Sequence, residues 1–144
     1  MPLQPSESPG FLLWHATLRW QRAIARALRP LDLTHVQFVL LASTWWLNSA
    51  GRRPSQVELA SFAGTDVKMT STVIRGLERA GLLERETDPE DARAFLLHAT
   101  RAGQRLAPRA IGVVEGVDRA FFEGVPKRDL IGLLERLAQA PVRA

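Results

Sequence analysis

Apolar residues along this chain recur at intervals that alternate between helical and strand periods. From Phe11 to Arg29 the pattern is an amphipathic helix. Arg19, Arg22, Arg26 and Arg29 fall on one face, and Leu13, Trp14, Ile24, Ala25 and Leu28 cover much of the other. Residues 1–10, with three prolines and a glycine, read as a flexible leader, and Pro30 stops the helix that follows. Thr34-His35-Val36-Gln37 has the form of a capping box and opens a helix to about Asn48. That helix is apolar nearly all round (Val36, Phe38, Val39, Leu40, Leu41, Trp45, Trp46, Leu47), which predicts a buried central position.

A second capping box, Ser55-Gln56-Val57-Glu58, starts a short helix to about Ala63. After the turn at Gly64-Thr65, a further helix spans about Asp66–Ala80 with Val67, Thr70, Val73, Ile74 and Leu77 at core spacing. Two short helices joined by a tight Gly-containing turn are a helix-turn-helix. The period then switches to two. Leu82–Thr87 and Ala94–Ala99 read as strands joined by the polar turn Asp88–Arg93, a hairpin placed as a wing. Thr100 caps another helix, about Arg101–Glu123, in which Pro108 predicts a kink or a break. Pro126 takes a first helical position, and Leu130, Leu133, Leu134 and Leu137 mark the last helix. The fold class is mainly α with a small β-hairpin wing.

Five segments carry a resemblance: Leu33-Thr34-His35-Val36-Gln37-Phe38, Ser55-Gln56-Val57-Glu58-Leu59-Ala60, the stretch Leu77–Arg85, Asp88-Pro89-Glu90-Asp91-Ala92-Arg93-Ala94, and Thr100-Arg101-Ala102-Gly103. In this order and spacing the chain resembles the MarR family of bacterial transcription regulators. The resemblance implies a winged helix-turn-helix lobe over residues 33–100, with dimerisation helices at 11–32 and 101–144 that intertwine in a homodimer. It also implies double-stranded DNA, a pseudo-palindromic operator, as the partner. Repression would be relieved by a small aromatic or phenolic effector bound between the dimer region and the DNA-binding lobe.

On that frame, Lys68, Met69, Ser71, Thr72, Arg75 and Arg79 are left facing outward from the recognition helix once the core positions are removed. The hydroxyls can reach base edges or phosphates, Lys68 and Arg75 can bind guanine or phosphate, and Met69 can touch a thymine methyl, the alternative being that Lys68, Arg75 and Arg79 are simply solvated. The family often carries Arg where Thr72 stands and an acidic-basic pair at Arg75-Gly76, so its base contacts do not transfer. Asp91 and Arg93 match the family's Asp-x-Arg at the wing tip. There the carboxylate would hold the guanidinium in a fixed direction for insertion into a narrow minor groove, the alternative being an exposed turn ion pair. Ser55 and Gln56 open a helix whose free amides suit a phosphate, with Arg52 and Arg53 just before them; a plain surface loop is the alternative.

Trp14, His15, His35, Phe38 and Trp45 lie on the two helices that wall the family's ligand site, either as an aromatic pocket or as core and interface packing.

Composition then narrows the functions. With 144 residues the chain makes one domain, and with no cysteine it has no disulfide, thiol switch or Cys-type zinc site. His15, His35 and His98 show no metal-ligand spacing, and no Gly-rich phosphate loop occurs, so neither a metal, a cofactor nor an enzymatic role is expected. No signal peptide or membrane span is visible, and the expected location is the cytoplasm. The net charge of +4 suits a polyanionic partner. Yet Asp66–Arg93 holds five basic residues against seven acidic ones, while the Arg19–Arg29 face has no acid between Glu7 and Asp32. The acidic balance leaves open a winged-helix dimer that binds protein rather than DNA.

Overall fold

The structure, a computed structural model, describes residues 1–139. Helices α1 (Pro9–Leu28), α2 (His35–Ser49), α3 (Gln56–Ala63) and α4 (Val67–Arg79) are followed by strands β1 (Leu83–Asp88) and β2 (Asp91–Ala99) and by helices α5 (Arg101–Phe121) and α6 (Lys127–Gln139). This is the mainly helical winged helix-turn-helix that the residue pattern predicts. The last part of the expected 101–144 dimerisation segment, residues 140–144, lies outside the described residues.

The helix boundaries follow their caps. Ser8 Oγ accepts from the Phe11 amide at 3.2 Å and Pro9 takes the first helical position, so α1 begins two residues before the expected Phe11. The leader is correspondingly shorter than residues 1–10, and Pro5–Glu7 within it form a 3-10 turn. Thr34 and Gln37 complete the predicted capping box of α2. At α3 the box is only half made. Ser55 Oγ accepts from the Glu58 amide, but the Glu58 carboxylate takes the Ser55 hydroxyl rather than the Ser55 amide. Pro108 lies within α5 without ending it. Pro126 precedes α6 rather than entering it, its carbonyl accepting from the Leu130 amide at 3.0 Å.

The core gathers Ile24 and Leu28 of α1, Leu40 and Leu41 of α2, Leu59 of α3, Ile74 and Leu77 of α4, Leu83 and Leu97 of the hairpin, and Ala107 and Ala110 of α5. Each fully buried Leu or Ile contributes about 1.5–3 kcal/mol of transfer free energy. Among the described residues, the two buried polar side chains stay satisfied locally: Thr44 Oγ1 donates to the Leu40 carbonyl at 2.8 Å and Thr70 Oγ1 to that of Asp66 at 2.7 Å. α2 is central, but not on every side. Trp46 points to solvent, because a helix wrapped by α1, α4, α5 and β2 still has one open edge. Val67, expected in the core, is 47% exposed, since it opens α4 ahead of the turn that packs.

The hairpin is antiparallel, with Leu83 opposite Ala99 and Arg85 opposite Leu97, and an irregularity between Thr87 and Asp88. β2 starts at Asp91, three residues earlier than expected, leaving Pro89-Glu90 as the turn. The chain before α3 lies along the other edge of β2, where Ser55 bridges to Leu96 and the Leu97 amide donates to the Pro54 carbonyl at 2.8 Å.

Candidate nucleic-acid interface

α3 and α4 meet through Gly64, which closes α3 in the left-handed region at φ 72°, where a side chain would be strained. Asp66 then caps α4 by accepting from the Met69 amide at 3.0 Å. From this start Lys68, Thr72, Arg75 and Arg79 recur at four, three and four residues, so they share one face of α4, and all four are exposed. Met69 is also exposed, at 42%, beside this stripe. Ser71 is half-buried at its margin. The Thr72 hydroxyl leans back to the Lys68 carbonyl at 3.4 Å, which leaves its lone pairs outward as acceptors.

The acidic excess of the segment has a structural resolution. Glu78 pairs with Arg85 at 2.7 Å, Glu86 pairs with Arg53 and with His98, and Glu84 lies 3.5 Å from His98. Asp66, Asp88 and Asp91 each accept from a main-chain amide. Six of the seven carboxylates are thereby engaged within the lobe. Among the described residues, Lys68, Arg75, Arg79 and Arg93 have no carboxylate partner and are exposed, so these four are the positive charges left unneutralised by a local acid.

At the wing tip the expected ion pair is replaced by a main-chain contact. Asp91 Oδ1 accepts from the Arg93 backbone amide at 3.0 Å and does not hold the guanidinium, which is exposed. At the α3 N-terminus, Ser55 and Gln56 are half-buried. The Ser55 hydroxyl is used as a cap, and the Glu58 carboxylate beside it opposes a phosphate at that point. Arg52 and Arg53 are both exposed, and Arg53 is turned onto Glu86.

The five candidate ligand residues do not converge on one cavity. Trp14 is 64% exposed on the first turns of α1, and His15 is exposed with its ring edge-on to Phe11 at 4.5 Å. Phe38 and Trp45 are half-buried and pack on the core. His35 alone faces a cavity, about 480 Å³, between Arg29, Asp32, Gln37 and Ala80. Its ring also lies 5.1 Å from that of Trp20, whose Nε1 donates to Asp118 Oδ1 at 2.8 Å. Burial pushes the His35 pKa below its usual 6.5, with the Asp118 charge pulling in the opposite direction. The physical reason for the scatter is that Trp14 and His15 lie near the start of α1, while His35 opens α2 and Trp45 stands about three helical turns further along it.

Three residues tie the elements behind this face together, and the sequence already marks two of them, Thr100 as a helix cap and Thr100 with Gly103 as part of a family segment. Asn48 donates to the Arg52 and Leu97 carbonyls and accepts from the Ala99 amide, tying the end of α2 to β2. Thr100 Oγ1 accepts from the Gly103 amide while donating to the Gly81 carbonyl at 2.6 Å, joining the α5 cap to the end of the α4 segment. Gly103 is buried where a Cβ would stand 2.1 Å from the Leu82 carbonyl oxygen. Only the role of Asn48 was missed, and its available hint was an Asn closing an otherwise apolar helix.

A helix-turn-helix with an outward basic stripe, flanked by a hairpin with a free arginine at its tip, defines a winged-helix DNA-binding protein. Comparison with known proteins gives the family. A model of the MarR family matches residues 33–95. The HTH-type transcriptional regulator YdcH of Bacillus subtilis is 46% identical over 135 residues, covering 92% of each chain. The HTH-type transcriptional repressor Rv2887 of Mycobacterium tuberculosis is 31% identical over 131 residues, covering 89% of this chain and 91% of its own. The solved structure of Bordetella bronchiseptica BpsR, which concerns regulation of its DNA binding by 6-hydroxynicotinic acid, superposes with a TM-score of 0.86 at 26% identity, covering 98% of this chain and 100% of that one. The chain belongs to the MarR family: it is a DNA-binding transcriptional regulator and not an enzyme.

Proposed function

We propose that the protein is a homodimeric repressor of a pseudo-palindromic operator, released by a small aromatic acid. The observation that carries the DNA part is the charge arrangement: most carboxylates of the lobe have a partner within it, while Lys68, Arg75 and Arg93 are exposed on α4 and the wing without one among the described residues. In this reading the first half of α4, with Lys68, Met69, Ser71 and Thr72, enters the major groove. Arg93 enters the flanking minor groove, and Arg75 meets phosphate. Ser55 and Gln56 contribute main-chain amides at the α3 terminus rather than side-chain contacts. The rival reading, a dimer that binds protein and not DNA, rested on the acidic balance of the lobe, and the internal engagement of those acids argues against it.

The dimer reading is supported by the chain ends. Phe11, Leu12, Leu13 and Trp14 at the start of α1, and Ile131, Leu133, Leu134 and Leu137 on α6, are all exposed. So much apolar surface on two amphipathic helices needs a second subunit to cover it. The effector reading is supported by the half-buried His35 with Trp20 against its ring, by Arg29 lining the same cavity, and by the ligand that regulates the DNA binding of BpsR. Sedimentation and a gel shift on DNA upstream of the protein's own gene test the first two parts. A monomer, or no sequence-specific shift at ~100 mM salt with the dimer intact, rejects them. A thermal-shift series of hydroxylated aromatic acids tests the third, and rejects it when no compound moves either melting or DNA affinity.

A further inference from the structure

Two consecutive residues of β1 are held by opposite sides of the lobe. Successive residues of a strand point to opposite faces. Arg85 continues the face that carries the buried Leu83 and Leu97, and there its Nε donates to Glu78 Oε1 of α4 at 2.7 Å while its guanidinium lies 5.6 Å from the Phe95 ring centroid. Glu86 lies on the other face. There it joins Arg53, in the segment leading to α3, to His98 of β2, whose Nε2 is 3.1 Å from Glu86 Oε1. One contact spans from the wing to the recognition helix, the other from the wing to the edge segment beside β2.

An isolated two-stranded hairpin is marginally stable, and this one projects beyond its buried base at Leu83, Leu97 and Ala99. From Arg85 to the turn is about four residues, or ~13 Å at ~3.3 Å per residue, so a small rotation at the base moves the tip by ångströms. Both ion pairs are partly exposed, with side-chain exposures of 32% and 27% for Arg85 and Glu78. Pairs of that kind add little to global stability. Their geometric effect is to fix where the wing tip stands relative to α4.

We propose that Arg85 and Glu86 are positioning residues for DNA recognition, clamping the wing from its two faces so that Arg93 and the α4 stripe engage one duplex in register. The proposal rests on the wing contacting DNA, which Arg93→Ala tests separately. The probe is a duplex selected by the wild-type protein from a random library, compared with a scrambled duplex of the same length. Glu78→Gln removes the charge that holds Arg85 but leaves Arg85 itself in place. With the clamp required, Glu78→Gln and Arg85→Met each lower affinity for the selected duplex about tenfold. Affinity for the scrambled duplex and the melting temperature hold, and hydroxyl-radical protection is lost where the wing sits. The exchanged pair Glu78→Arg/Arg85→Glu restores most of the difference. A Glu78→Gln protein that binds the selected duplex as well as or better than wild type overturns the proposal, because Arg85 is then at most a phosphate contact. So does an Arg85→Met protein with equal losses on both duplexes. An Arg93→Ala protein with unchanged affinity and footprint removes the underlying wing contact instead.

Discussion

Asp91 grips the main chain of Arg93, its Oδ1 accepting from the Arg93 amide at 3.0 Å. The carboxylate thus shapes the start of β2 and leaves the guanidinium of Arg93 free to reach outward. An ion pair between the two side chains would neutralise the group that the wing presents. Within the Asp-x-Arg pattern the contact made here therefore runs through the backbone.

This relationship predicts different outcomes for two variants. Arg93→Ala should weaken operator binding about tenfold, or ~1.4 kcal/mol, with unchanged stability. Asp91→Asn keeps an acceptor oxygen and should bind nearly as wild type. Asp91→Ala loses the amide contact, worth about 0.5–1.5 kcal/mol, and should fall between them. Fluorescence anisotropy on a fixed operator duplex measures all three. Equal losses for Asp91→Asn and Asp91→Ala would show that charge, not geometry, matters at position 91.

The exposed stripe of α4 predicts a salt signature. Lys68→Gln and Arg75→Gln should each lower the steepness of log K against log salt by about one. Met69→Ala should leave that slope alone and instead reduce discrimination at a thymine position. Titrations between ~50 and 200 mM salt read both effects. An unchanged slope for Arg75→Gln would place that side chain away from phosphate.

Gly103→Ala should be among the more damaging single-methyl changes in the chain. Its Cβ would overlap the Leu82 carbonyl oxygen, and neither that main-chain oxygen nor a Cβ whose place is fixed by the α5 backbone can swing aside. A loss of about 3 kcal/mol, the upper part of the overpacking range, is expected in urea unfolding. A loss below ~1 kcal/mol would mean that α5 shifts freely on the hairpin.

His35 predicts a pH effect on stability. Its pKa is lowered in the folded protein, chiefly by burial, so the unfolded chain binds the proton more readily. The neutral ring's contribution is complete above the unfolded value of 6.5 and is lost as pH falls through the lower folded value. Stability should therefore decline below about pH 6.5, and His35→Phe should flatten that decline. Urea midpoints at several pH values, with wild type and variant declining in parallel, would assign the effect to other groups.

What the chain order determined by itself was local. The Thr34–Gln37 box, the Ser55 cap, the amphipathic stripe of α4 and the alternation in the hairpin depend on residues three or four apart, or on a period of two. Those repeat distances are imposed by helix and strand geometry, so they could be read before any partner was known. The family pattern extended that reading to the whole architecture. What only the tertiary structure decided was partnership. Glu86 and Arg53 are 33 residues apart, and Trp20 and Asp118 are 98 apart. Nothing in their local spacing marks them as pairs. Five bases against seven acids looked unfavourable to DNA as a sum along the chain. The fold turned most of the acids onto amides, His98 and neighbouring arginines and left Lys68, Arg75, Arg79 and Arg93 facing out, because charge at a surface is set by where side chains are held and not by how many there are.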